Sequence, residues 1–483
     1  MRHFLALLLI VPFITMAQKK GNPEAYAKTI TAADLKKHLY IVAGAEMEGR
    51  EAATEGERKA AAYIEGEFRR IGLQPGNNGS YHMFFPVYRD SLITANLEVN
   101  SQKFELDKDF NPNLNNIPAL LAFSEVVYLP QNIAADSLKN ADLTGRLVMV
   151  QGLPQGRSEV LRNKGVAAIL NISTSYPRRT PALRLGNQTM QFFKRFLGPQ
   201  QYFISENVAQ KILGTTTQTN GTTPVMVKAN VQLEVQKKTS MTQSSNIVGL
   251  LPGTDLKDEY LCITAHYDHE GKRGDSVIYY GADDDGSGTV SVIELAEAFM
   301  QAKKAGYGPR RSIIYMTVSG EEKGLWGSAH YAANPIFPLE KTTADLNIDM
   351  VGRIDPKRTK GDSTNYVYIV GDDKLSSDLR KINVAANKYT KLELDYKYND
   401  PEDREFIYYR SDHYNFARNG VPIIFFFNGT HRDYHRPTDT PDKINYPLMA
   451  KRAQLVFYTA WDMANRNEML KRDLPLPALR RQF

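Results

Sequence analysis

Three short apolar runs, each ending in acidic or imidazole side chains, limit the fold of this chain more than any other feature. The run 261–265 leads into His266 and Asp268. The run 313–318 leads into Ser319-Gly320-Glu321-Glu322, and 346–350 carries Asp349. A helical pattern at 289–302 separates the first two, apolar at Val290, Ile293, Leu295, Ala296 and Phe299. Continuous apolar strands alternating with amphipathic helices predict a largely parallel sheet covered on both faces, an α/β fold in three layers. The carboxyl ends of such strands are where open α/β sheets place their sites.

Two further segments add to that set. The acidic turn 281–288 holds Asp283, Asp284 and Asp285, among which the pattern alone does not choose. Asp433-Tyr434-His435-Arg436-Pro437 supplies a second histidine after the apolar run 421–427. Two His and three Asp/Glu, with Glu321 to spare, suit Zn²⁺ and less selectively Mn²⁺ or Co²⁺. One ion does not need five ligands. Two ions sharing one carboxylate do, each with three protein contacts and room for water, at a separation of roughly 3.5–4 Å.

The motifs H-x-D at 266–268, G-A-x-D-x-x-S-G at 281–288, Glu321-Glu322, D-M-V-G at 349–352 and D-Y-H-x-P-x-D at 433–439 together resemble metallopeptidase family twenty-eight. That family is the co-catalytic di-zinc group of leucyl-type aminopeptidases, with glutamate carboxypeptidase II as a distant relative. The resemblance covers about residues 34–80 and 245–465. It implies a zinc-exopeptidase sheet and two Zn²⁺ per chain. His266 and Asp349 would hold the first metal, Glu322 and His435 the second, and Asp284 would bridge them. Glu321 would be the general base. Asp268, on the same side of an extended chain as His266, would accept the ring N–H and turn the other nitrogen to the metal. His269 would lie near the site without ligating. Tyr434 would either hydrogen-bond the developing oxyanion or serve packing. Asp412-His413 would support the site or be a structural polar pair. Gly286 and Gly288 would let backbone pass close to the metals.

The implied reaction is removal of N-terminal residues from peptides by water held between the metals. A carboxypeptidase of the glutamate-releasing kind is an alternative, but only 48 residues follow His435, too few for the extra helical domain of those relatives. A glutaminyl cyclase has one zinc on this fold, and a receptor-like protein would need no working metal site. The full ligand set argues against both.

The first residues read as a secretory leader, 1–17. Arg2 and His3 start it, 4–14 is apolar, and Thr15-Met16-Ala17 precedes Gln18 as a cleavage site. The apolar part is too short to span a membrane and contains Pro12. The protein is therefore expected to be exported, to the periplasm or beyond. Cys262 is the only cysteine and lies in a strand run, so it reads as a buried structural thiol. A net charge of +6, from 60 basic and 54 acidic residues spread along the chain, describes a mixed surface rather than a nucleic-acid interface. The oligomeric state has no signature in the sequence.

A length of 483 residues suggests two domains. In 18–100, Thr54-Glu55-Gly56-Glu57 has capping-box spacing for a helix to about Arg70, burying Ala61, Ile64 and Phe68 and ending at Gly72. Glu48 and Arg50 just before it read as structural. Residues 101–240 change character, with strand-like runs at 126–129, 147–150, 167–172 and 225–234. With a helix near 159–164, they resemble a mainly-β protease-associated domain, a lid or gating module without chemistry. The main domain resumes over 241–483 and ends in a helix at 447–466.

Overall fold

The computed structural model describes residues 21–151, 157–176, 185–192, 198–214, 221–274 and 276–476. The leader at 1–17 lies outside them. The chain forms two compact units, Met1–Phe85 with Ser244–Phe483, and Pro86–Gln243.

The first unit is built on a mixed sheet. Its strands are the end of β1 (Val225–Leu251), β2 (Leu256–His266), β3 (Arg311–Val318), β4 (Thr342–Ile348), β5 (Tyr366–Val370), β6 (Glu393–Asp395) and β7 (Ile423–Phe427). Their order is β6-β5-β7-β4-β2-β3-β1. The centre, β7-β4-β2-β3, is parallel, and β1 and β5 pair antiparallel at its sides. The pairs His266↔Val318, Thr264↔Asn347 and Ile348↔Phe426 bring the carboxyl ends of the four parallel strands level. After β3 the chain returns to the other side of β2, so a crevice opens at the end of β2.

Both faces of these strands are buried, which explains their continuous hydrophobic runs. Leu261, Ile263, Leu346, Ile424 and Phe426 pack into one core with α1 (Ala32–Val42), α2 (Glu55–Ile71), α3 (Gly288–Lys304) and α7 (Tyr446–Asn465). Cys262, Ile314, Met316, Ile423 and Phe425 face a second core, which includes Tyr331 of α4 (Trp326–Ala333) and Phe416 of α6 (His413–Ala417). The three layers are thus helix, sheet and helix. Burial pushes the Cys262 thiol well up, so it stays protonated.

The helix ends follow local sequence. Thr54 caps α2 by accepting the Glu57 N–H, and Gly72 closes it at φ 98°. The Glu57 carboxylate turns back to the N–H of Ala53 at 2.6 Å rather than to the cap residue itself. It also accepts hydroxyl protons from Ser244 and Ser319. Burial lifts its acidity to about pH 7 despite those donors.

The second unit has its own core. Ala119–Leu129, Leu147–Gln151, Ala168–Ile172 and Gln200–Ile204 run parallel, with Val225–Leu251 antiparallel beside the first of them. Short helices at Ala135–Asn140, Arg157–Asn163 and Glu206–Leu213 accompany them. The unit starts at Pro86, earlier than the sequence boundary of 101. The reason is that the strand His82–Val99 continues without a break, and Leu97 and Val99 pack in this unit's core. Among the described residues, no helix is long and apolar enough to cross a membrane.

Candidate metal centre

Strand ends place the ligand candidates. His266 closes β2, Glu321 and Glu322 follow β3 after a turn at Gly320 (φ 75°), and Asp349 follows β4 directly. Asp284 comes from the wide turn Ala282–Ser287 that opens α3, and His435, at φ 54°, from the loop after β7. All lie in the first unit.

The five candidates converge around Asp284. Its Oδ1 is 3.3 Å from His266 Nε2, which is 3.7 Å from Asp349 Oδ1. Its Oδ2 is 3.2 Å from His435 Nε2, which is 2.9 Å from Glu322 Oε2. Donors at about 2.0–2.2 Å from a tetrahedral zinc stand about 3.3–3.6 Å apart, and closer in wider coordination. His266 Nε2 and Asp284 Oδ2 are buried without a hydrogen-bond partner, as metal-facing atoms are. The donor set therefore fits two zinc positions sharing Asp284.

Geometry also separates the three aspartates. Asp285 accepts the N–H groups of Gly288 at 2.8 Å, Met350 at 3.1 Å and His266 at 3.2 Å, so both its oxygens serve backbone. Asp283 accepts the Gly352 N–H and faces His431 at 3.2 Å, away from His266 and His435. Asp439 accepts the N–H groups of both Asp283 and Asp284, fixing the turn.

Electrostatics follow from packing carboxylates together. Burial works against a charged imidazole at His435, but Asp284 and Glu322 outweigh it and hold its acidity at about pH 10. Burial, with repulsion from Glu322 and Asp349, pushes the Glu321 carboxyl well up. Burial would raise the Asp284 carboxyl, but the adjacent His266 and His435 imidazoles outweigh it and hold Asp284 well down. A site that draws protons onto its histidines in this way equally attracts divalent cations.

Several expectations need correction. His266 Nδ1 lies 3.1 Å from the backbone carbonyl of Asp268, not on its carboxylate, which is 3.7 Å away. The carboxylate instead accepts the Glu321 N–H at 3.1 Å. The tautomer is still set by a carbonyl acceptor, and Asp268 joins the ends of β2 and β3. Gly288 is needed for packing and not for approach to a metal. A Cβ there would meet the Ile348 carbonyl at 2.2 Å and the Asp285 carboxylate at 2.4 Å. A Cβ on Gly286 would likewise meet Leu39 of α1 at 2.8 Å. Asp412 is bound by the Ser328 hydroxyl, and His413 is fully buried against the Tyr408 carbonyl at 2.8 Å. Glu48 sits at the surface between Lys59 and Lys272.

A small cleft opens beside the carboxylates, its apolar lining formed by Met350, Ile407, Phe425 and Phe427. Tyr434 lines it, stacked on His435 at 3.9 Å between ring centres. Burial raises the pKa of its phenol, which stays protonated. Its oxygen accepts from Arg410 at 3.1 Å, leaving its own proton for an acceptor in the cleft. Arg410 and Ser411 went unread in the sequence. The Ser411 hydroxyl donates to Asp349 Oδ2 at 2.7 Å and itself accepts from Asn347 at 2.9 Å. Their signal was present, because they directly precede Asp412-His413.

Residues 246–460 match the model for Peptidase family M28. Over these residues, just under half of the chain, the sequence is similar to that family. A probable leucine aminopeptidase of the fungus Arthroderma otae is 26% identical over 329 residues, 66% of this chain and 85% of that one. A probable zinc metalloprotease of Pyricularia oryzae is 26% identical over 300 residues, and the chain spans only 57% of its length. The fold is shared with an aminopeptidase from Aneurinibacillus sp. strain AM-1, at TM-score 0.56 and 18% identity, covering 95% of this chain and 100% of that one. A zinc aminopeptidase from Bacillus subtilis aligns at TM-score 0.53 and 17% identity, over 92% and 99% of the two chains.

Proposed function

We infer that this chain is an M28 two-zinc exopeptidase that removes N-terminal residues from peptides. The observation that carries the reading is Asp284, whose two oxygens serve two separate groups, His266 with Asp349 and His435 with Glu322. Zinc, when bound, would supply Lewis-acid polarisation and lower the pKa of water to about 7. His266 and Asp349 would hold one ion, Glu322 and His435 the other, and Asp284 both. Glu321 takes the proton of the attacking water and returns it to the leaving amine. Its raised proton affinity suits a group that must carry that proton in transit. Tyr434 directs its phenol proton toward the oxygen on which negative charge develops.

Asp284, Glu321 and Asp349 give the cleft an acidic wall that favours a free amino terminus. Arg410 lines the same cleft, and its guanidinium is the feature that would suit a carboxylate-ended substrate instead. A peptide panel separates the two. Purified without chelator, the protein is expected to hold two zinc ions. N-acetylated peptides should be cut about 10–100-fold more slowly than free ones, since one charge-assisted contact is lost. Equal cleavage of blocked and free peptides would rule out action from the amino end, and one zinc per chain would rule out the two-ion site.

Export rests on the leader-like segment 1–17. Mass spectrometry of protein recovered outside the cytoplasm should find Gln18 first, and an intact Met1 there would contradict it.

A further inference from the structure

His269 is an imidazole beside this site that the ligand set above does not use. It is fully buried, and neither ring nitrogen has a hydrogen-bond partner. Leaving such a polar atom unpaired in the interior is costly. Its Nδ1 lies 2.8 Å from Glu322 Oε1 and 3.9 Å from Asp284 Oδ2. A ring N–H at 2.8 Å from a carboxylate would ordinarily donate to it. Here both Nδ1 and Oε1 remain unpaired, so they do not point at each other. One donor atom each from His269, Glu322 and Asp284 lies within 4.8 Å of the other two, close enough for the three to share one ion. His435 Nε2 lies 2.9 Å from the other Glu322 oxygen.

The ring is held where it is. The His269 N–H donates to the Arg50 carbonyl at 3.2 Å. Gly281, at φ 56°, lies against the ring, and a Cβ there would come within 2.5 Å of His269 Cγ. This is a built position, because any other residue at 281 would displace the imidazole.

The geometry points to His269, through Nδ1, as a further ligand of the second metal position, an assignment that rests on the two-zinc reading above. That position then has four protein donors, from Asp284, His269, Glu322 and His435, while the first has three, from His266, Asp284 and Asp349. Four protein donors characterise a closed site, and three leave a place for water. The two positions are therefore unequal. The first, beside Glu321, is the open one. The second is bound more tightly and anchors Asp284.

The test uses the full-length protein and its His269→Gln and His269→Ala variants, reconstituted with Co²⁺. Chelator competition gives the affinity of each ion, and visible absorption reports the coordination of Co²⁺. The far-UV circular dichroism of the metal-free forms checks folding, and either folded variant suffices. A group that only supports a ligand from outside typically costs 10–100-fold in metal affinity. We expect the second ion to weaken by more than about 100-fold and its absorption bands to shift, with the first ion unchanged. A weaker loss with unchanged bands overturns ligation by His269 while leaving the two-zinc reading intact. A wild-type protein that takes up one ion overturns both.

Discussion

Glu321→Gln should lower turnover by about 10²–10⁴, or roughly 3–5 kcal/mol in the barrier, without loss of metal. Gln keeps the size and hydrogen-bonding reach of Glu but cannot accept a proton. The backbone position should hold, because the Glu321 N–H is fixed on Asp268 at 3.1 Å. Metal should remain, because the Glu321 carboxylate stands 3.9 Å from the nearest imidazole nitrogen, of His266. Glu322 is in a different position, 2.8 Å from His269 and 2.9 Å from His435. Glu322→Gln should therefore lose metal first and recover part of its activity at high zinc. Single-turnover rates with metal analysis on both variants read the difference. A metal-depleted Glu321→Gln beside a fully loaded Glu322→Gln would mean that the two roles are exchanged.

The residues that were readable in the sequence are those whose chemistry is local. A buried parallel strand must be apolar on both faces, so 261–265 and 313–318 announced themselves, and the acids at their ends stood out. The Thr54 cap and the Gly72 stop were readable because each satisfies backbone groups within a few residues. The choice among Asp283, Asp284 and Asp285 could not come from pattern, since all three are buried and acidic. It depends on which backbone amides lie nearby, and those of Met350 and Gly352 arrive from the end of β4. The same holds for His269. Its place was visible three residues after His266, but the role of its ring depends on Glu322 and on the glycine at 281. Ser411 and Arg410 were missed for a similar reason. A lone hydroxyl or guanidinium carries no periodicity, and only the loop before α6 brings them to Asp349 and Tyr434.

Non-local bonding of this kind has its largest energetic expression at Arg50. Arg50→Met should destabilise the protein by about 3–5 kcal/mol, the usual range for breaking a buried charge arrangement. At about 2–4 °C per kcal/mol for larger domains, the melting temperature should fall by roughly 6–20 °C. The guanidinium is fully buried. It donates to the carbonyls of Tyr267 at 2.6 Å, Val42 at 2.9 Å, Tyr280 at 2.7 Å and Gly281 at 2.8 Å. Burial pulls its acidity down to about pH 10, yet it stays charged at neutral pH among Asp268, Asp284, Asp285 and Asp439. Met fills the volume but strands four carbonyls and leaves four carboxylates without their cation. Those carbonyls belong to the end of α1, the end of β2 and the start of the Asp284 turn, so metal affinity should fall together with stability. Arg50→Lys keeps the charge but not the planar fork, and should recover only part of the loss. A melting temperature within about 2 °C of wild type for Arg50→Met, less than 1 kcal/mol on the same scale, would show that the ends of α1 and β2 are held by packing alone.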